Sequence, residues 1–411
     1  MSKFYTLWLS VFLFSCLSES NVDPGSSSTF IRYFNGGNND EAKALEIASD
    51  GGYVIAATTK IQKAEADIPK YRIKFIKTDA AGNPQKSVLY PKDFSDTHNF
   101  SASSIAITPS GGYVISGEDI YYRQNQTDSV RSLILVVDAN GEMTGMESYD
   151  KGKARGVAIT SNGDYLLLTI DGNSNMYLLE IDKDTLGLPK TITPYPAGET
   201  TIANKLLIDE TDKAIWSGVA TKSGLTGIRV IKTVPSNINT EFDRLVSQPN
   251  FDLVGTDICR WGGFNYAVTG STNRKRLDNG TYIKSADTDI LFVRMNASGD
   301  TLSTRSFPFG ATDNQNDVGN SISSTNDGGL ILLSSVSSVA INGRGDTDFY
   351  LIRIDAFGNT IWTNSFGSKF KDEGVSVRQT SDGGYVVLGT TTQGALKIVT
   401  LLKTDTNGKI E

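Results

Sequence analysis

The sequence of 411 residues predicts an all-β fold made of repeated four-stranded units. Three observations predict it. A glycine turn followed by an apolar, β-branched strand recurs along the chain. A further strand that ends in a polar turn follows each copy, and a small residue recurs inside the second strand of every unit.

The last unit, from Ile361 to Glu411, shows the pattern most clearly. Four short β-branched runs are separated by turns, and none has the periodicity of a helix. The turn Asp382–Gly384 precedes the strand Tyr385–Thr392, and glycine supplies the positive φ that such turns need. Residues 385–388 are apolar on both faces of the strand. The sheet must therefore be covered on both sides, which stacking of successive units achieves.

Both signals occur seven times. The glycine turn, degenerate in its fourth copy, occupies Asp50–Tyr53, Ser110–Tyr113, Asn162–Tyr165, Asp209–Ala214, Trp261–Gly263, Asp327–Gly329 and Asp382–Tyr385. The third strand leads to Asp79, Asp138, Asp182, Thr233, Asn296, Asp355 and Asp405. From Gly51 to Gly383, 332 residues cover six intervals, which is about 55 residues per repeat and typical of a propeller blade.

A small residue lies five places into each second strand. The seven are Ala57, Gly117, Thr169, Gly218, Gly270, Ser334 and Gly389. Glycine inside a strand marks close approach of another backbone. We expect such crowding near the axis of a ring of sheets.

The two ends of the repeat region complement each other. The chain stops after the third strand of the seventh unit, and residues 29–37 align with the outer strand at 361–367. The first ordered strand is therefore expected to complete the last unit and to remove a free edge. We predict a seven-bladed β-propeller of four-stranded antiparallel blades over residues 30–411.

The repeat resembles that of secreted bacterial β-propeller lipoproteins, whose blades read DGGY, an apolar strand, then KTD and GN. Asp382–Tyr385 and Lys77–Asp79 carry this resemblance. It covers Phe30 to Glu411 and implies the architecture, but it implies no ligand, because propellers host many unrelated activities.

The N-terminus predicts a lipid anchor. Lys3 precedes the apolar run Phe4–Phe14, which is too short to span a bilayer and is typical of a signal-peptide core. Leu13–Cys16 resembles a lipobox, in which the cysteine is acylated, for example with palmitate. We predict a signal peptide at 1–15, a lipidated Cys16 with a tether at 16–29, and a place at the bacterial cell envelope, in the outer membrane or on the cell surface. The alternative is ordinary secretion with a chance cysteine.

The composition limits the partners and the chemistry. A formal net charge of -7 and the lack of a basic stripe argue against nucleic acid. If Cys16 is lipidated, Cys259 has no cysteine to pair with, and we expect it to be buried. His98, the single histidine, lies in a polar stretch and is expected to be a solvated loop residue; a multi-histidine metal site is excluded. Lysines and arginines at one third-strand position, such as Lys77 and Lys403, are expected to be structural, as are the tyrosines that begin second strands.

Acidic residues cluster before the first strands of the blades. They are Asp40, Glu41, Asp93, Asp96, Asp252, Asp257, Asp313, Asp317, Asp372 and Glu373. If the strands alternate in direction, all lie on one face, where paired carboxylates could hydrolyse glycans or hold a cation. Turn and strand-entry chemistry is the favoured interpretation. The Asp-Thr-Asp motifs at 287–289 and 346–348 are likewise expected to form turns. We predict no catalytic residue, no bound metal and no cofactor.

Long loops between second and third strands are predicted at 59–71, 118–131, 271–289 and 335–347, all on that same face, which we call the long-loop face. Their candidate ligand-binding residues are Tyr71, Tyr121, Tyr122, Arg123, Arg274, Lys275, Arg276 and Tyr282. Exposed tyrosine and arginine are common interface anchors. Two loop ridges are expected to border a groove across the axis.

These features favour a binding or scaffolding module at the cell envelope, with a protein or glycan partner and contact with the membrane only through the lipid anchor. The alternative function is a carboxylate-dependent hydrolase that acts on glycans, and a spacer without a specific ligand is a third hypothesis. The sequence leaves the oligomeric state open.

Overall fold

The computed structural model describes residues 29–62, 69–92, 97–121, 129–195, 200–222, 224–236, 240–263, 265–277, 279–309, 316–337 and 346–410. Within these ranges the fold is all-β, and no helix there is long and apolar enough to cross a membrane.

The first fourteen strands are β1 (Phe30–Phe34), β2 (Asn39–Ile47), β3 (Tyr53–Ile61), β4 (Lys70–Thr78), β5 (Pro84–Tyr90), β6 (His98–Ile107), β7 (Tyr113–Tyr121), β8 (Ser129–Val137), β9 (Met143–Tyr149), β10 (Lys153–Ile159), β11 (Tyr165–Ile170), β12 (Met176–Ile181), β13 (Thr191–Tyr195) and β14 (Thr200–Ile208). The remainder are β15 (Ala214–Lys222), β16 (Leu225–Thr233), β17 (Thr240–Val246), β18 (Leu253–Trp261), β19 (Asn265–Arg276), β20 (Tyr282–Met295), β21 (Thr301–Phe307), β22 (Val318–Ser324), β23 (Leu330–Ser337), β24 (Thr347–Ile354), β25 (Thr360–Phe366), β26 (Lys371–Gln379), β27 (Tyr385–Gln393) and β28 (Leu396–Thr404).

The strands form seven antiparallel sheets of four, as the sequence predicted. Blade one is β2-β3-β4-β5, and blades two to six follow in chain order up to β25. The first strands of the blades contact one another in a closed cycle, β2-β6-β10-β14-β18-β22-β26 and back to β2. These seven inner strands surround the axis of a β-propeller, and the apolar core fills the spaces between blades.

The ring closes through the N-terminal strand. Blade seven has the order β1-β28-β27-β26, with Phe30 opposite Lys403 and Phe34 opposite Val399. The Phe30 side chain is buried, and its ring lies 6.0 Å from that of Tyr53 in blade one. The predicted closure is therefore confirmed.

The Asp-Gly-Gly turn uses its two glycines for different reasons. Gly51 and Gly383 have φ of 80° and 82°, which side chains rarely adopt. Gly52 is needed for space, because a Cβ there would lie 2.1 Å from the carbonyl oxygen of Thr78. In the degenerate turn of blade four, Asp212 takes the left-handed conformation, with φ of 59°. These turns and those between third and fourth strands define the turn face, opposite the long-loop face.

The cation in the third strand completes the turn, which confirms its predicted structural role. Lys403 Nζ lies 2.7 Å from Asp382 Oδ2, and Lys232 Nζ lies 3.0 Å from Asp209 Oδ2. The tyrosine that begins the second strand packs between blades, as expected: Tyr113 is buried with its ring 5.6 Å from that of Phe75 in blade one.

Every inner strand carries a β-bulge near its middle. Beside four of the bulges, the second-strand glycine meets a carbonyl oxygen of the inner strand. A Cβ at Gly117 or Gly218 would lie 1.9 Å from Ser101 O or 2.1 Å from Ile202 O. The predicted backbone approach is confirmed, and the backbone that approaches belongs to the same blade.

Hydroxyl groups join neighbouring blades at the bulges. Thr58 Oγ1 accepts a hydrogen bond of 3.1 Å from the backbone N–H of Ala102 in the next blade. Thr390 Oγ1 does the same for Ala42 at 3.0 Å, across the junction that closes the ring. Each hydroxyl accepts from a buried backbone donor of the next blade directly before its bulge.

Candidate functional site

The candidate binding residues lie at the ends of second strands and the starts of third strands. In an antiparallel blade these ends share one face, so the structure confirms that Tyr71, Tyr121, Arg274, Lys275 and Tyr282 lie on the long-loop face. Arg276 pairs with Tyr282 through the backbone, which places it there too. Tyr122 and Arg123 lie outside the described residues, as does Cys16.

In blades one, two and six the strands extend one to four residues further into the predicted long loops than the sequence indicated. In blade two, for example, β7 runs to Tyr121 and β8 begins at Ser129. The physical reason is that strand ends at this face carry polar side chains, which give the composition of a loop while the backbone stays paired. The short connections predicted in blades three, four and seven are confirmed.

Tyr71 and Tyr121 belong to one patch across blades one and two. The Tyr71 N–H donates to Asn99 Oδ1 at 2.9 Å, and the buried Arg72 donates to the carbonyl oxygen of His98 at 3.1 Å. The Tyr121 ring lies 4.6 Å from the His98 ring. Both tyrosines are half-buried, so they form the floor of this patch.

The expectation that His98 is a solvated loop residue was wrong. It begins β6, stacks on Phe100 at 5.7 Å, and places Nδ1 2.7 Å from Asp119 Oδ1. Asp119 is buried and also accepts hydrogen bonds from Arg131 and, at 2.9 Å, from Ser148 Oγ. Because Asp119 accepts hydrogen bonds from several residues of its own blade, the His98–Asp119 contact stabilises the end of the blade-two sheet.

Blade five carries a hairpin where the sequence predicted a loop. After Thr272 the pairing shifts, and residues 274–276 then pair with 282–284. A turn follows in which Gly280 has φ of 82°, and its N–H donates to Leu277 O at 2.9 Å. The prediction of a loop at 271–289 is therefore wrong, and we call residues 273–284 the blade-five arm. Side-chain charge hid the strand, since the segment reads as polar.

Contacts within its base hold the arm in place. The Arg274 guanidinium carbon lies 3.5 Å from the centre of the Tyr282 ring, and its Nη1 donates to Gln248 Oε1 at 2.9 Å. Asp252 accepts from Asn273 Nδ2 at 2.6 Å and pairs with Lys284 at 3.0 Å. The hydrogen bond and charge of Lys284 lower the pKa of Asp252. Arg274 and Asp252 therefore hold the base of the arm in place through these contacts.

The arm exposes apolar side chains. Leu277, Tyr282 and Ile283 are 36%, 40% and 42% exposed, and Tyr282 and Ile283, being consecutive in a strand, lie on opposite sides of the arm. Exposed apolar side chains on a paired element are typical of a contact surface. The arm is the most distinctive feature of the long-loop face in the part of the chain that the structure describes.

The two sets of candidate residues do not meet. Tyr71 and Tyr121 belong to blades one and two, and Arg274, Lys275 and Tyr282 belong to blade five, with at least blades three and four between them. The groove with two walls therefore stays a prediction.

The acidic residues of the inner strands are engaged within their own blades. Asp40 is fully buried and binds Lys74 and, at 2.7 Å, Thr59 Oγ1. Asp372 is also buried and accepts from Ser368 N–H at 2.7 Å. These contacts agree with the predicted strand-entry role and give the hydrolase alternative no specific support.

Two members of the acidic group differ from the rest. Asp257 does not lie at strand entry: it follows the bulge of β18 and accepts from Ser321 Oγ and Ile322 N–H of blade six, both at 2.9 Å. Asp317 accepts from Ser337 N–H at 3.1 Å, and burial raises its pKa to about 6. Asp93, Asp96 and Asp313 lie outside the described residues.

The axial opening on the long-loop face holds a cavity of about 500 Å³ between blades six, seven and one. Glu41 pairs with Lys43 at 2.9 Å and Glu373 with Lys371 at 2.8 Å. Burial alone would raise the pKa of Glu41, but Lys43 and Lys397 more than offset it and lower this pKa. Glu41 is therefore ionised at neutral pH.

The Asp-Thr-Asp motif at 287–289 lies inside β20 rather than before it. Asp287 N–H donates to Ser285 Oγ at 3.2 Å, a local contact where the arm joins the blade. Among the described residues, no group of three or more histidine, cysteine, aspartate or glutamate side chains could hold a metal ion.

The fold thus defines a seven-bladed β-propeller with a blade-specific long-loop face. No known family model matches the sequence, and no characterised protein matches it significantly. Solved structures similar to the chain include the C-terminal WD40 domain of Sif2 (8% identity, 91% of this chain and 99% of that one, TM-score 0.48). Sqt1 from Chaetomium thermophilum is also similar, with 10% identity over 92% of this chain and 99% of that one and a TM-score of 0.49. The α-L-arabinofuranosidase Arb93A from Fusarium graminearum has 10% identity over 92% of this chain and 97% of that one, and its TM-score is 0.49. Similarity at this level indicates neither an activity nor a partner.

Proposed function

We propose that this protein is a lipid-anchored binding module of the bacterial cell envelope, and that its long-loop face binds a partner protein. The blade-five arm is the observation that supports the proposal. This paired hairpin with exposed apolar side chains extends beyond the four-stranded part of its blade, because β19 and β20 complete their blade pairing at Thr272 and Asp289.

The chemistry of these exposed side chains favours a protein partner over a glycan. Sugar rings stack on aromatic side chains and need dense hydrogen bonding around them. Leu277 and Ile283 offer only aliphatic surface, which buries well against another protein. Tyr282 adds an anchor that is stiffened by Arg274 and so loses little freedom on binding.

The experiment starts from the full-length protein in cells. A photo-crosslinking amino acid placed at Tyr282 should capture a partner, and the same group at Leu302 should not. Leu302 is the matched control, because it is 55% exposed and apolar but lies on β21, the outer strand of the same blade.

The captured partner is then purified, and its affinity is measured by calorimetry. Tyr282→Ala/Ile283→Ala should weaken binding by about 1–4 kcal/mol, while Leu302→Ala should leave it unchanged. Equal affinity for all three proteins would refute the proposal. A glycan bound by the wild type and lost in the double variant would change the partner class, and glycan turnover would support the hydrolase alternative.

The lipid anchor is a separate part of the proposal. It depends on the apolar run Phe4–Phe14 and on Cys16, which follows it after Ser15. Cells grown with a fatty-acid analogue should label the wild type and fail to label Cys16→Ala. An unlabelled wild-type protein would contradict the anchor and leave the binding proposal standing.

A further inference from the structure

The extra residues of the seven bulges meet at the axis of the propeller. They are Lys43, Ser103, Arg155, Asn204, Thr256, Asn320 and Val375. All seven line a single cavity of about 120 Å³, which we call the channel waist. Six of them are polar, whereas the spaces between blades are filled by apolar side chains.

The charge of the waist is opposite to that of the chain. Its charged lining residues are Lys43, Arg155, Lys205, Arg378, Glu46 and Asp257, four cations and two carboxylates. Arg378 Nη2 donates to Glu46 Oε1 at 3.1 Å, which neutralises one pair. Asp257 is held mainly by two donors of blade six, and Lys205 Nζ lies 3.8 Å from it. Lys43 pairs with Glu41 at 2.9 Å, so the excess at the waist is one positive charge, that of Arg155, in a chain whose net charge is -7.

Arg155 is the least satisfied of these cations. Its Nε is buried and has no hydrogen-bond partner, and no carboxylate of the described residues pairs with the side chain. A guanidinium stays charged at all accessible pH values. The residue as a whole is half-buried, so only the Nε lies away from water, where an unpaired donor raises the free energy of the fold unless a ligand satisfies it.

Asn320 supplies a neutral donor to the same cavity. The backbone N–H of Gly374 donates to Ser335 Oγ at 2.9 Å, so the Ser335 hydroxyl donates its own hydrogen to Asn320 Oδ1 at 2.7 Å. This chain of bonds fixes the orientation of the amide and leaves the Asn320 NH₂ group as a donor toward the waist. A guanidinium together with a fixed amide donor is a combination that recognises oxyanions.

The waist borders a cavity on each side. It shares Lys43, Asn320 and Val375 with the 500 Å³ cavity on the long-loop face. It shares Lys205, Asp257 and Arg378 with a cavity of about 260 Å³ that lies toward the turn face. The waist is therefore the middle one of three neighbouring cavities along the axis.

We propose that the channel waist binds a small oxyanion, either an inorganic ion such as phosphate or a small carboxylate, between Arg155, Lys205 and Asn320. Such a ligand would neutralise the excess charge at the point where all seven inner strands meet. The inference is independent of the long-loop face and its partner.

Calorimetry and thermal melts of the full chain test the proposal. Inorganic phosphate should give a saturable binding heat and raise Tm by about 2–3 °C at concentrations well above Kd. Sodium chloride at the same ionic strength is the control, and acetate separates a carboxylate site from one selective for inorganic oxyanions. A rise in Tm that chloride reproduces, or one that never saturates, would overturn the proposal.

Arg155→Met gives a signature that a purely structural arginine would not give. Without an oxyanion the variant should melt at or above the wild-type Tm, because an unpaired charge has been removed. With phosphate the wild type should melt at a higher temperature than the variant, since phosphate raises the Tm of the wild type only. Asn320→Ala should weaken phosphate binding several-fold. Arg244→Met, an outer-strand change of the same charge, should bind phosphate like the wild type. A phosphate response that survives in Arg155→Met and Asn320→Ala would contradict the site.

Discussion

The two faces of the propeller differ in how far the repeat determines them. On the turn face, blades one, six and seven share one arrangement, an aspartate, two glycines and a third-strand cation, with the pairs Asp50–Lys77, Asp327–Arg353 and Asp382–Lys403. On the long-loop face, the contacts at the strand ends differ between blades: blade two has the His98–Asp119 contact, and blade five has the arm. The difference teaches that repeated contacts stabilise the ring, while features that occur once are free to acquire a function.

The largest expected effect concerns the closed ring that both faces share. Deleting Phe30–Phe34 removes a buried phenylalanine and exposes the edge of β28. The free energy of unfolding should fall by several kcal/mol, roughly 4 or more, because burial and a row of hydrogen bonds are lost together. Denaturant unfolding measures it. Deleting residues 21–28, the predicted tether, is the control, and equal midpoints for the two deletions would contradict closure through blade seven.

The comparison of faces can be tested with one type of substitution. Asp382→Ala leaves the Lys403 ammonium, whose side chain is 4% exposed, without its carboxylate, and should cost about 2–4 kcal/mol. Asp252→Ala on the long-loop face breaks a pair in which Lys284 is 55% exposed, and should cost about 1 kcal/mol or less. Urea denaturation of both variants provides the measurement. Similar losses for both would show that the two faces do not differ in this way.

The sequence predicted most of what repeats and little of what occurs once. Seven copies of a turn fixed the blade number, and the alignment of residues 29–37 with 361–367 predicted the closure. The bulges escaped notice because they depend on strand register and not on residue type: Lys43, Ser103 and Val375 occupy equivalent positions and share no chemistry.

The candidate site was predicted only in outline. Its face followed from strand alternation, but the arm looked like a polar loop, and the wrong expectation for His98 came from the polar residues before it. One signal was available. In residues 271–289, the pair Asn279-Gly280 comes shortly before Tyr282 and Ile283, and this order is typical of a hairpin turn followed by a strand.

The dependence of stability on pH should differ between the faces. In the turn of blade four, burial would raise the pKa of Asp209, but hydrogen bonds from Thr211 and Lys232 lower this pKa to about 2. The Asp209 carboxylate therefore stabilises the fold above pH 3.8, and this stabilisation is lost as pH falls toward 2. Asp317 on the long-loop face has its pKa raised from 3.8 to about 6, so it destabilises the fold as pH rises through that window.

Asp317→Asn, which resembles the protonated form, removes the second effect. Between pH 4 and pH 7, the wild type should lose about 1–3 kcal/mol relative to this variant. Asp209→Asn should be less stable than the wild type by nearly the same amount at both pH values. Chemical denaturation at the two pH values gives the differences. A gap between Asp317→Asn and the wild type that does not change with pH would mean that Asp317 keeps an ordinary pKa.

A further effect is expected between the two faces, at the level of the bulges. Thr58→Val preserves the shape of the side chain and removes the acceptor for the Ala102 N–H. The buried donor then has no partner, and the free energy of unfolding should fall by about 1–2 kcal/mol. Thr144→Val is the control: Thr144 is exposed on β9, and the change should stay within about 0.5 kcal/mol. Hydrogen exchange locates the loss, because the amide of Ala102 should exchange faster while amides of the turn face keep their protection. If Thr58→Val were as stable as the wild type, the hydrogen bond between Thr58 and Ala102 would contribute nothing to the joining of blades one and two.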